Sequence, residues 1–158
     1  MIEMLGVLAI VGVLSAGGIA GYSMAMQSYK GSQLIERINL IATRARQLYK
    51  GNYTGISNTN LINSGKLSAN DLKNPFGGDI SVSLFDTGVF SVTTDSNIPA
   101  EVCVDIATTN WGGSGVFDGL FFNGGAVFEY ADGSYPPTNA EVISACKGGN
   151  KEIILEFR

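Results

Sequence analysis

No histidine occurs anywhere in the 158 residues of this chain. That absence excludes imidazole acid/base catalysis, Ser-His-Asp and Cys-His nucleophile systems and histidine metal ligation together. Cysteine is confined to Cys103 and Cys146, too far apart for the CxxC of a zinc or dithiol redox centre. The Gly-Gly pairs at 77–78, 112–113, 124–125 and 148–149 lack the lysine and Ser/Thr of a phosphate-binding loop, so they are expected to be turns. Ten basic residues against fourteen acidic ones leave a net charge of -4, which gives the chain as a whole no electrostatic match to nucleic acid. Carboxylates are scattered, and no pair stands out as an acid/base couple. The sequence therefore predicts no catalytic residue, no cofactor and no metal. Internal repeats and low-complexity tails are absent too, and the length suits one domain with an appended element.

The longest gap in the sequence is a gap in charge. Between Glu3 and Lys30 there is no ionisable side chain other than tyrosine, and Met4–Met26 (MLGVLAIVGVLSAGGIAGYSMAM) has few polar groups. A helix over those residues spans about 34 Å, enough for a hydrocarbon core of about 30 Å. A cleavable signal has a shorter apolar core behind a basic region, whereas this run follows an acid. A membrane span is the reading favoured over a signal or a buried helix. Glu3 stands at the mouth of the run, where a carboxylate needs water, the helix N-terminal dipole, or a cation from another copy of the chain. Gly17, Gly18 and Gly21 each weaken a helix by about 0.8 to 1 kcal/mol relative to alanine. They suit a segment that unwinds, or equally a close helix–helix contact.

Beyond Gly31 the pattern becomes amphipathic. Leu34, Ile38, Ile41, Ala45 and Leu48 recur at helical spacing, while Glu36, Arg37, Arg44 and Arg46 lie off that stripe. One long helix over residues 1–50 is expected, with residues 1–27 apolar on every side and residues 28–50 packed on a domain by one face. Lys50-Gly51-Asn52 stops it. Up to residue 50 five basic residues face two acidic ones, a net of +3, and from Gly51 onwards five face twelve, a net of -7. The two segments are thus expected to have different surroundings.

Residues 51–158 read as an α+β head. Gly51 to Gly78 is a polar connector with short helical patches, among them Leu67–Leu72 with Ser68 as a cap near Asp71. Asn74-Pro75-Phe76-Gly77-Gly78 forces a turn, and alternation over residues 79–94 predicts an antiparallel hairpin. A short helix is expected over Pro99–Ala107, strands over Leu120–Phe122 and Ala126–Tyr130, a helix from Pro136-Pro137 to Cys146, and a last strand through Ile153, Leu155 and Phe157. Trp111, Phe117, Phe121 and Phe122 are assigned to the core. The two cysteines are either buried thiols or a disulfide closing a long loop; the latter would place the head in an oxidising compartment.

The run Met1–Met26 with its single early glutamate resembles the N-terminal segment of type IV pilins. Ser64–Gly78 (SGKLSANDLKNPFGG) and Ile143–Gly149 (ISACKGG) resemble the type IVb subclass. The resemblance implies a long N-terminal helix on an antiparallel sheet, and a filament of identical subunits with no enzymatic activity. It implies a basic leader removed, and a new N-terminus methylated, by a prepilin peptidase. The subunit is then held in the bacterial inner membrane before assembly machinery transfers it to an extracellular pilus. Glu3 would set subunit registry, the segment holding Gly17, Gly18 and Gly21 would lose helical structure on assembly, and Cys103 and Cys146 would form a disulfide. In the family four residues precede that glutamate and here two do, which leads to the expectation that two mature residues and the leader are missing from this sequence. By the positive-inside rule Lys30, Arg37, Arg44, Arg46 and Lys50 argue for a cytoplasmic head, and a basic leader would restore the outward orientation. Attraction between the +3 helix and the -7 head of neighbours, through Arg37, Arg44 and Arg46, is a further expectation. A pseudopilin or minor pilin, or a membrane-anchored periplasmic binding module, are the alternatives in view.

Overall fold

The structure, a computed structural model, describes residues 2–149 and 151–158; the first residue of the expected helix, Met1, lies outside them. Helix α1 runs unbroken over Ile2–Tyr49, a length of about 72 Å. The expected stripe is buried: Leu34, Ile38, Ile41 and Ala45 are fully covered, joined by Gly31 and Ala42, while Leu48 is partly buried. The helix stops where Lys50 takes a positive φ of 50° and Gly51 follows at 92°. The Lys50 N–H still reaches the Arg46 carbonyl at 3.0 Å.

Five strands form one antiparallel sheet: β1 Ile80–Asp86, β2 Val89–Thr94, β3 Phe117–Phe122, β4 Val127–Glu129 and β5 Ile153–Phe157. Their spatial order is β1-β2-β5-β3-β4, so the last strand in the chain lies at the centre. Because side chains alternate across a strand, each register row belongs to one face. The row Val82–Val92–Leu155–Leu120–Phe128 crosses all five strands, and every member is buried in the core with the α1 stripe. The neighbouring row on the other face is Ser83–Ser91–Glu156–Gly119–Glu129. The hairpin of residues 79–94 is present as β1–β2, whereas β3 already begins at Phe117, ahead of the expected Leu120.

Helix positions depart from expectation in two places. Leu67–Leu72 forms turns instead of helix, and the connector's helix is α2, Asn58–Asn63. Ser68 does engage Asp71: its N–H and hydroxyl both donate to Asp71 Oδ2 at 2.8 Å, holding that carboxyl below its ordinary range. Propagation fails because the next backbone groups are recruited by the sheet. Ile80 N–H donates to the Leu72 carbonyl, Lys73 bridges Asp79, and Asn74 precedes a proline. Gly78 belongs to this turn with φ 82°, and a side chain there would collide with Asp95. Helix α3 covers Ala100–Thr108, and α4 covers Asn139–Cys146. The start of α4 is set just after the prolines, by Thr138 and Glu141 in a reciprocal capping box.

Two contacts fix the helices to each other. A Cβ placed on Gly31 would lie 3.1 Å from Val102 Cγ2, so the missing side chain is what lets α3 approach α1. Cys103 of α3 and Cys146 of α4 form a disulfide, with Cα atoms 5.7 Å apart and a sequence separation of 43. Aromatic rings fill the remaining core. Tyr53, Phe90, Phe157 and Phe117 follow one another at centroid distances of 4.5, 5.7 and 5.3 Å. Trp111 stacks on Phe117, and its Nε1 donates to the Ile106 carbonyl at 2.9 Å. Trp111, Phe117 and Phe122 are thus core, as assigned. Phe121 is not: it lies between two inward residues of β3, so strand alternation turns it to the outer face, where it is half-buried.

Replacing Gly31 by leucine overpacks the α1–α3 contact, and urea unfolding of the chain in detergent micelles should show a loss of about 1–3 kcal/mol. Replacing both Cys103 and Cys146 by serine should cost about 2–5 kcal/mol in the same measurement, because the unfolded head regains the freedom of a long loop.

Candidate assembly surface

The first half of α1 is left uncovered by the head. Its large apolar side chains range in exposure from 53% at Val11 to 86% at Ile2, and the first buried residue is Gly31. This is the one helix among the described residues that is long and apolar enough to cross a membrane, and none of its most apolar window is buried. Isolated in water, so large an apolar surface is strongly unfavourable, at roughly 25 cal/mol per Å². The serines inside the run satisfy themselves. Ser15 Oγ donates to the Val11 carbonyl at 2.8 Å, and Ser23 Oγ to the Ala20 carbonyl at 2.9 Å. Hydroxyls bound in this way need no outside partner, which suits an apolar surrounding.

Where the helix meets the head, Tyr22, Met26, Lys30, Phe76 and Pro99 line a recess of about 420 Å³. Aromatic rings and a lysine at the end of an apolar run match the chemistry of a lipid–water boundary, where rings stay at headgroup level and the ammonium reaches water.

Glu3 lies in the first turn, on the exposed surface. Within the helix the next charged side chain is Lys30, about 40 Å along the axis. Gly17, Gly18 and Gly21 are helical in the isolated chain, and a Cβ at any of them would meet nothing within 4 Å. No contact within the described chain therefore accounts for these glycines. Gly6 and Gly12, not singled out from sequence, have the same open surroundings.

The three arginines separate. Arg37 and Arg44 line a groove of about 570 Å³ on the outer side of α1, with Gln33, Glu36, Leu40 and Asp71. An Arg37 guanidinium N–H donates to the Lys73 carbonyl, and Arg44 Nη1 donates to Gln47 Oε1 at 3.3 Å. Arg46 instead lies beside Tyr53, whose hydroxyl is pushed up by burial and partly lowered again by the guanidinium. The periodicity placed all three off the core stripe without resolving this division, because one helix face is about 100° wide and Arg46 sits at its edge. Gln33, Asn39 and Gln47, the amides of the groove, carry no charge signal and do not stand out in the sequence. The disulfide lies in the head, buried between α3 and α4.

The chain is 28% identical to the major structural subunit of bundle-forming pilus of Escherichia coli O127:H6 (strain E2348/69 / EPEC), over 93% of this chain and 86% of that protein. It is 31% identical to the toxin coregulated pilin of Vibrio cholerae serotype O1 (strain ATCC 39315 / El Tor Inaba N16961), over 61% of this chain and 45% of that one. In three dimensions it resembles the crystal structure of TcpA, a type IV pilin from Vibrio cholerae El Tor biotype. The TM-score is 0.60 at 19% identity, covering 82% of this chain and 99% of the other, a likeness of fold. The family model described as PilS N terminal matches residues 28–157, from the last turn before the first buried residue to the final strand. With that match over most of its length, the chain belongs to the PilS N-terminal family, among the type IV pilins.

Proposed function

We propose that the chain is the repeating structural subunit of a type IV pilus. One observation carries the reading: an apolar half-helix stands outside the head that the other half anchors. Such a surface needs a second apolar environment, first a bilayer and then the helices of other copies. Residues 1–27 form the filament core in this reading, 28–50 fix the head to it, and 51–158 form the outer shell. The relatives are structural pilins, which supports an assembly role over a catalytic one. The subunit is processed by a prepilin peptidase, waits in the inner membrane, and is moved into an extracellular filament by assembly machinery.

Within the apolar core Glu3 is the residue that specifies position. A carboxylate surrounded by hydrocarbon is tolerated when paired, so subunits are held in the register that brings it to a cation of a neighbour. The glycine-bearing segment at Gly17, Gly18 and Gly21 supplies the place where the helix unwinds or where neighbouring backbones approach. Arg44, in the outer groove, is positioned to meet acids of another copy's head, whose net charge is -7 by count from residue 51.

Electron microscopy of sheared surface material, with the filament identified by its protein content, tests the function; absence of this chain from every filament would overturn it. Glu3→Ala should lower filament yield per subunit made by more than about tenfold, since the partner charge is left unpaired in hydrocarbon. Normal yield would remove the registry role. Arg44→Glu should make filaments dissociate more readily at low salt, with the difference from the native filament shrinking as salt rises. Equal dissociation at every salt concentration would remove the charge complementarity.

A further inference from the structure

The outer face of the sheet carries a carboxyl with no cationic partner. Glu156 lies on the central strand β5 and is 3% exposed. Its register neighbours are Ser91 on β2 and Gly119 on β3. The donors around it are engaged elsewhere: the Ser91 hydroxyl pairs with the Ser83 hydroxyl at 2.8 Å, and Arg158 Nε is held on Asp118 at 2.6 Å. Among the described residues no ion pair reaches Glu156.

What faces Glu156 is more negative charge. Across Gly119 the next register position is Glu129 of β4. Gly119 has no side chain to separate the two, and its place is taken by the Glu129 stem. A Cβ on Gly119 would lie 2.9 Å from Glu129 Cγ and 3.3 Å from the Phe121 ring. Glu129 is thus folded over the glycine, and Phe121 covers the same spot. Asp118 sits where the β3–β5 register shifts. By element, β2 contributes only hydroxyls, β3 contributes Asp118, β4 contributes Glu129, and the chain just beyond β5 contributes Arg158, already paired.

We propose that Glu156, facing Glu129 across Gly119, holds a proton in the folded head, and that losing this proton loosens the outer face of the sheet. An ionised Glu156 would be a largely covered anion that no side-chain donor of the described residues reaches, beside a second carboxylate; a protonated one is neutral. Burial pushes Glu156 up to about 7, and the nearby carboxylates of Glu129 and Asp118 add to the rise. The sign is that of a raised carboxyl. The folded head binds a proton that the unfolded chain has released above about 4.5, so this stabilisation is full below that pH and is lost as pH rises through 7. The other displaced carboxyls act in a separate window. Asp71, Asp132 and Glu141 are all lowered by hydrogen bonds from Ser68, Ser134 and Thr138, so their contributions vanish only in stronger acid.

The test is urea unfolding of the full chain in neutral detergent from pH 5 to pH 8. The folding equilibrium constant should fall on the order of a hundredfold across that range, ten for each unit of displacement. Glu156→Gln, which stays neutral at every pH, should flatten the profile; Glu129→Gln should move its midpoint to lower pH. A carbon NMR titration of the native chain should find the Glu156 carboxyl ionising near neutrality, and this measurement stands even if the Glu156→Gln head does not fold. A Glu156 carboxyl that ionises in the ordinary carboxylate range, or a Glu156→Gln profile as steep as the native one, would overturn the proposal.

Discussion

Everything in this molecule depends on one helix being asked to satisfy two environments. Over Ile2–Tyr49 the backbone is the same continuous ladder, yet up to Met24 its large apolar side chains are exposed all round, whereas from Gly31 onwards one face is covered. The head that follows leaves the first half uncovered and grips the second. The grip rests on the stripe Leu34, Ile38, Ile41 and Ala45 and on the close approach of α3 at Gly31. The rigid connection matters for assembly. A helix frayed at its junction would let the head tilt freely, and the register proposed for Glu3 would then not be transmitted to the outer surface.

Much of this was legible because the helix and the sheet write their periods plainly. The change at Gly31 from uniformly apolar to amphipathic marks the entry into the head, and the alternation through Ile80–Leu84 and Ile153–Phe157 marks strands. The connector was harder. Leu67–Leu72 has the composition of a capped helix, and Ser68 does bind Asp71, but a sheet hydrogen bond from Ile80 claims the Leu72 carbonyl before a second turn can form. Strand order was not legible at all. Nothing local to β5 says that it enters between β2 and β3, since its partners lie far away in the chain.

The candidate site divides along the same line. Glu3 and the glycines stand out in sequence because they break an otherwise uniform run, and the surface they lie on leaves them open to a neighbour. The arginines were visible as charges off the core stripe, while their separation into groove residues and a partner of Tyr53 requires coordinates. Glu156 was invisible. In sequence it alternates with Leu155 and Phe157 as an outward residue, the ordinary position for a solvated acid. Its burial comes from neighbours on β3 and β4, among them Phe121 and Glu129, which the central placement of β5 brings beside it.

That placement also constrains how the head forms. The β1–β2 hairpin and the β3–β4 hairpin are each local pairings, but they share no edge; β5 alone joins them. Before β5 arrives, the inner rows of the two hairpins are incomplete and the aromatic series Tyr53–Phe90–Phe157–Phe117 lacks its bridging ring. The disulfide ties α3 to α4, the helix immediately preceding β5. It therefore confines the loop in which the search for that pairing takes place, reducing the closure entropy that such a non-local contact costs. Under the proposed function an apolar run immersed in a membrane would bring a further advantage, because it would not compete for the head's unpaired rows. Under the proposed function, anchoring would precede closure of the sheet by β5, and the finished subunit would meet its neighbours only after both.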